Sequence, residues 1–283
     1  MKEFSYFIEE KFNNYKMIDF LKSIGYSNEI IQKIKFGGIS VNEKISTNVN
    51  DRVKTNDQVK IIFPDDELNL YAPAVKGDLK VVYEDDYFIA VIKEKGILTH
   101  SSKSNSIISL EQLFYGYIAP LKLKFRAINR LDRDTSGIIL IAKDMLSASL
   151  LSNQMKDGLI KKTYSALLLG VPKQNHFFIN ENILRESPSS MKRVCDKNGK
   201  TAITECLSIK DLNNGLSLAE IYLHTGRTHQ IRVHFSYIGF PLYADSLYGE
   251  KVDGKTYTLH AKRLEFTHPF TKKKIILNSE IDI

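Results

Sequence analysis

One short stretch holds more groups capable of chemistry than any other part of the chain. Arg130, Asp132, Arg133 and Asp134 crowd together and are followed at once by the apolar run Ile138–Ala142. The run reads as a buried strand. A carboxylate at the rim of a core strand, with guanidinium groups beside it, is placed to be both ionised and oriented. Two readings fit this pattern: a catalytic carboxylate, or a salt-bridged loop that closes a sheet.

Two further segments carry candidate groups. Lys162 and Tyr164 alternate along the strand-like segment Lys162–Gly170, so they share a face. After Thr225-Gly226-Arg227-Thr228 comes a helix with Ile231, Phe235 and Ile238 on one face and Gly239 at its end. His229, Arg232 and Ser236 fall at helical spacing beside that apolar stripe. Such a helix can bury its stripe and aim Arg232 at a site on a sheet. It can equally present a solvated face with an incidental histidine.

The elements that must hold these groups are legible in outline. Met17, Phe20, Leu21 and Ile24 repeat as an amphipathic helix ended by Gly25. Ser27 caps a second helix with Ile30, Ile31 and Ile34, which stops at Gly37-Gly38. Short strands follow at Ile39–Asn42 and Val59–Phe63. The polar, proline-bearing stretch from Pro64 to Ala74 reads as a linker. Strands then recur at Val81–Tyr83, Phe88–Ile92, Thr204–Ile209, Leu216–Leu223, Leu264–Phe266 and Ile275–Leu277. Asp144 caps a helix, ended by Gly158, with Leu146, Leu150 and Leu151 inward. Many strands, few helices and no βαβ alternation predict an α+β fold with a mixed, largely antiparallel sheet. A small α+β satellite over residues 1–75 precedes a large domain over 76–283.

Composition narrows the partners. The 283 residues carry a net charge of +7, which favours a polyanion. Residues 1–75 hold 10 Lys+Arg against 11 Asp+Glu, leaving 30 against 22 for the rest, so the larger part must supply phosphate contacts. No apolar run approaches the roughly 20 residues that span a bilayer. The N-terminus lacks a signal peptide's apolar segment, which makes a cytoplasmic location the expectation. Cys195 and Cys206 form no disulfide framework and have no zinc-type spacing. Both read as ordinary residues, and a monomer is the default.

Five motifs occur in order: RLDRDTSG (130–137), KKTYSALLLG (161–170), TGRTHQIRVH (225–234), GFPLYADSLYG (239–249) and LHAKRLEFTHP (259–269). Together they strongly resemble the RluA-type pseudouridine synthases, which isomerise uridines in large-subunit ribosomal RNA and sometimes in transfer RNA. The satellite resembles the alpha-L RNA-binding module of ribosomal proteins through Gly38, Val41 and Asn42. The resemblance implies that Asp132 is the catalytic aspartate, Tyr164 the tyrosine that stacks on the target base, and Arg232 the partner of the catalytic carboxylate. Arg130 matches the arginine that helps displace the flipped base. Lys162, Arg227, His229, Gln230 and Leu259 match pocket positions that contact RNA. Neither metal nor organic cofactor is implied. Asn129 stands where the family often has His, and Lys93-Glu94-Lys95-Gly96 lacks the family's proline. An assembly factor that binds RNA without altering it is the alternative. A glycoside-bond hydrolase would need a second acid, for which Asp134 and Asp245 are candidates.

Overall fold

The computed structural model describes residues 3–46, 48–63, 72–102, 107–119 and 123–280. Most of the stretch read as a linker, residues 64–71, lies outside them.

The satellite begins with β1 (Glu3–Phe7), which the sequence pattern did not reveal. Helices α1 (Met17–Ser23) and α2 (Asn28–Ile34) follow, then β2 (Ile39–Val41), β3 (Lys44–Ile45) and β4 (Gln58–Ile62). The strands form an antiparallel sheet in the order β1-β4-β2-β3. The Ser27 side chain caps α2 by accepting from Ile30 N.

The large domain runs β5 (Lys80–Glu84), β6 (Phe88–Lys93), α3 (Leu110–Tyr117), β7 (Ser136–Ala142), α4 (Met145–Lys156) and β8 (Lys161–Leu169). It continues with β9 (Phe177–Asn180), β10 (Ile183–Arg185), β11 (Arg193–Cys195), β12 (Ile203–Asp211), β13 (Leu216–Leu223), α5 (Gln230–Tyr237), β14 (Leu259–Thr267) and β15 (Lys274–Asn278). The main sheet has the order β5-β6-β7-β14-β8-β13-β12-β9, with β15 also on β14. Among the described residues, only the β7–β14 strand pairing is parallel. The α+β expectation therefore holds.

Strand β7 is buried along its whole length because both its faces are covered. Ile139 and Ile141 pack toward Phe114 of α3 and Ile231 and Phe235 of α5. Ile138 and Leu140 pack toward Leu151 of α4 and Phe266. Helix α3 was not read from the sequence, although Ser109 and Gln112 make a reciprocal capping box at its start.

Helix α4 corrects one expectation. Leu151 faces the main sheet, but Leu146 and Leu150 pack into the satellite core with Ile30 and Ile31. The helix thus has two apolar faces and serves two cores. Ser149 Oγ donates to Gly25 O at 2.8 Å, and Phe4 stacks on Phe270 at 5.4 Å. The satellite is docked, not merely tethered.

Candidate active site

Asp132 sits in a turn that is fixed almost entirely through its backbone. Residues 126–128 run antiparallel to β7, with Ile128 N donating to Leu140 O and Ala142 N to Arg126 O. Asn129 extends this ladder with its side chain: Nδ2 donates to Ile138 O at 3.0 Å, and Oδ1 accepts from Leu140 N at 2.9 Å. Leu131 N donates to Thr99 Oγ1, which donates in turn to Leu131 O. Lys93, fully buried, gives its ammonium to the carbonyls of Glu94, Ile97 and Arg133 at 2.8–2.9 Å. Burial pulls the pKa of Lys93 down to about 8, against the pull of Asp134 and Asp132. The turn from Lys93 to Gly96 lacks its proline, and this lysine pins it from within.

Two side chains approach the Asp132 carboxylate from the start of α5, an imidazole and a guanidinium. His229 Nε2 lies 3.8 Å and Arg232 Nη1 3.9 Å from Asp132 Oδ2. Both distances are beyond hydrogen-bond range. The closer partner of Arg232 is Asp245, which is fully buried: Nε donates to Oδ2 at 2.7 Å and Nη2 to Oδ1 at 2.8 Å. The guanidinium lies 4.2 Å from the Tyr257 ring centroid and 4.9 Å from that of Tyr248. Burial opposes the charge on Arg232, but the bonds to Asp245 and the charge interactions with Tyr257, Asp245 and Asp132 together outweigh it and hold the pKa above its ordinary value. Asp245 also accepts from Leu247 N and Tyr248 N.

The expected shared face of α5 exists, and Tyr248 reads all of it. His229 Nδ1 bonds Tyr248 Oη at 2.8 Å, Arg232 lies over its ring, and Ser236 Oγ donates to Tyr248 O at 2.7 Å. His229 holds a left-handed backbone, with φ of 58°, at the first cap of the helix. Burial lowers its pKa, Asp132 pulls it up and Arg232 pushes it down.

These groups open into a cavity of about 640 Å³, a size suited to a small ligand. Tyr164 lines it from β8 and Leu259 from β14. Burial raises the pKa of Tyr164, and Asp132 raises it further, so the phenol stays protonated. Lys162 shares its face, and burial lowers the lysine's pKa. Arg130 and Arg227 are exposed on the cavity lining, where Arg227 Nε donates to Thr201 O. Gln230 differs from the rest. Its amide accepts from Arg227 N and Thr225 Oγ1 and donates to Ile203 O and Thr204 Oγ1, all at 2.9–3.0 Å. Those bonds spend it on positioning the loop before α5. Among the described residues, no three His, Cys, Asp or Glu side chains gather as metal ligands.

Sequence reasoning gave no role to Tyr248 or Tyr257 and weighed Asp245 only as a second acid. Tyr248 and Asp245 lie in the fourth motif and Tyr257 just before the fifth, where no periodic signal ties them to the arginine.

This sheet with its central aspartate loop belongs to a known class. The model of the RNA pseudouridylate synthase family matches residues 87–237, more than half of the chain. The protein belongs to that family and is an isomerase acting on RNA. It is 30% identical to the uncharacterized RNA pseudouridine synthase YjbO of Bacillus subtilis, over 91% of this chain and 92% of that one. It is 34% identical to ribosomal large subunit pseudouridine synthase C of Rickettsia felis, over 84% of this chain and 79% of that one. Among solved structures, human RNA pseudouridylate synthase domain containing 1 superposes with a TM-score of 0.61 at 25% identity, covering 74% of this chain and 86% of that one.

Proposed function

We propose that the protein converts specific uridines of large-subunit ribosomal RNA to pseudouridine, with Asp132 as the catalytic carboxylate. The observation that carries the assignment is the meeting of Asp132, Arg232 and Tyr164 around one cavity. The reaction breaks the bond between ribose C1′ and uracil N1, turns the base and joins C1′ to C5. The C5 proton leaves as N1 gains one, so atoms balance without any external reagent. Asp132 can begin this as a nucleophile or as a base toward a ribose proton.

A uridine within a helix must be flipped out at a cost of a few kcal/mol. Stacking on Tyr164 offsets roughly 1–3 kcal/mol of that cost. Arg130, exposed at the rim, fills the vacated space. Arg227 and Lys162 meet the backbone of the extruded nucleotide, and Leu259 and His229 wall its pocket. Gln230 lines the pocket and also holds the Arg227 turn. The RNA choice rests on the relatives named for large-subunit RNA; transfer RNA is the alternative target. Residues 1–75 act as the RNA-binding module, and the enzyme works as a cytoplasmic monomer.

Hydrolysis of the glycosidic bond is disfavoured because neither candidate second acid is available. Asp134 is held by Arg133 at 2.8 Å and Asp245 by Arg232 at 2.7 Å. Incubation with unmodified ribosomal and transfer RNA, followed by carbodiimide mapping, should reveal pseudouridine and no free uracil. Asp132→Asn should form none while still binding RNA. Product from Asp132→Ala would refute the role given to Asp132.

A further inference from the structure

The Tyr248 hydroxyl joins β11 to the imidazole at the start of α5. It accepts from Arg193 N of β11 at 2.8 Å and meets His229 Nδ1, also at 2.8 Å. A phenol has a single proton to give. Among the described residues, the one acceptor within hydrogen-bond reach of that hydroxyl is Nδ1. Tyr248 is buried, so turning the proton elsewhere would strand a donor away from water. Nδ1 is therefore the acceptor, and the neutral ring carries its hydrogen on Nε2.

Asp132 favours the same tautomer from the other side. Nε2 lies 3.8 Å from Asp132 Oδ2. In this tautomer an N–H faces the carboxylate; in the other a lone pair would. Arg232 Nη1 approaches the same oxygen, at 3.9 Å. Burial and the cations Arg232 and Arg193 outweigh the pull of Asp132 and Asp245, so the pKa of His229 falls below its ordinary 6.5 and the ring is neutral at pH 7. The backbone that presents it is left-handed, with φ of 58°, a conformation that histidine enters more readily than most residues.

We propose that His229 is a positioning residue for Asp132, locked by Tyr248 as an Nε2–H donor, and is not a base in the reaction. With Nδ1 occupied and Nε2 protonated, the ring offers the cavity no lone pair. The proton that leaves C5 cannot go to it. Contacts of this kind tighten as substrate closes in. His229 and Arg232 then hold Oδ2 between them and leave Oδ1 to the uridine. The idea rests on the proposed reading of the cavity as the uridine site.

Nitrogen-15 spectra of histidine-labelled, full-length protein read the tautomer without substrate, with His229→Gln identifying the signal. At about pH 7.5, above the ordinary histidine range, His229 should be neutral and protonated on Nε2. Tyr248→Phe should admit the Nδ1–H form. An Nδ1–H or doubly protonated ring in the wild type would overturn the proposal, and an unchanged tautomer in Tyr248→Phe would remove Tyr248 as the lock. Activity supplies the second measurement. Glutamine carries an amide N–H at the reach of Nε2 but takes up no proton, whereas leucine does neither. Both side chains meet the same left-handed strain, so their comparison isolates the donor. His229→Leu should lower kcat roughly ten-fold or more with little change in KM, and His229→Gln should restore most of it. A wild-type rate for His229→Leu, or a His229→Gln as slow as His229→Leu, would overturn the donor role. Absence of pseudouridine from the wild type would instead sink the reading of the cavity.

Discussion

Arg232 gives its two short hydrogen bonds to Asp245 and leaves only its third nitrogen, at 3.9 Å, for Asp132. The arginine is thus committed to a structural carboxylate before any substrate arrives. Asp132 meets a guanidinium already aimed and neutralised in part, and it keeps its oxygens available for the proposed uridine.

Removing one side of that pair should be costly. Asp245→Asn strands a buried guanidinium and should destabilise the fold by about 3–5 kcal/mol. Arg232→Met with Asp245→Leu removes both charges and should recover most of the stability. Activity should not recover with it, because Asp132 loses its cation. Thermal melts beside single-turnover assays separate the two effects. A double variant that is both stable and active would refute the steering role of Arg232.

Gly137 makes the second point of vulnerability. Its φ is 119°, and a Cβ there would lie 2.5 Å from the backbone N and O of Ala261. This is where β7 meets β14 in parallel, and Ala261 pairs in turn with Tyr164 on β8. Gly137→Ala combines backbone strain with a clash against main chain, and should cost roughly 2–5 kcal/mol. Denaturant unfolding measures this. A loss below about 1 kcal/mol would mean that β14 can shift without harm.

Acid should weaken the fold through its buried histidines. His234 bonds Thr204 Oγ1 through Nδ1 and Glu181 O through Nε2. The carbonyl requires Nε2 to carry the proton, so Nδ1 accepts from the threonine. Burial lowers the pKa of His234 below its ordinary 6.5, and burial does the same to His229 and His260. The unfolded chain therefore binds protons first as pH falls. Stability should be greatest above about pH 6.5 and decline below it, until the folded-state values are passed. His234→Gln should be less stable at about pH 7.5 but lose less on moving to about pH 5.5. Melting curves at the two values decide; equal losses for both proteins would remove His234 as a contributor.

Some of this was legible in the sequence because its signals are local. An apolar run after a charged turn marked β7 and the Asp132 loop, and helical periodicity marked α5 with Arg232 on its polar side. Asp245 was not legible as the arginine's partner, since a bond between a helix and the loop after it leaves no periodic trace. The two apolar faces of α4 were merged into one because periodicity counts leucines and does not say which core each enters. The capping box of α3 was a readable local signal that the apolar pattern around it did not reinforce. Joining Tyr164 to Asp132 needed the β7–β14–β8 order, which only the three-dimensional fold supplies.

Tyr164 offers a way to separate stacking from hydrogen bonding. Its ring belongs to the core beside Leu259 and Ala261, and part of it lines the cavity. Tyr164→Ala would remove both shelf and core, leaving a void that costs about 3–5 kcal/mol, so its inactivity would say little. Tyr164→Phe keeps the ring and removes only the hydroxyl. Burial and Asp132 both hold that hydroxyl protonated, so it can donate within the cavity. Loss of a donor that acts in the transition state costs about 1–3 kcal/mol, or roughly 5- to 150-fold in rate. Tyr164→Phe should therefore bind RNA as wild type does and turn over at least five-fold more slowly in single-turnover assays. A wild-type rate would confine Tyr164 to stacking, and weakened binding at a normal rate would place its hydroxyl on the ground-state RNA instead.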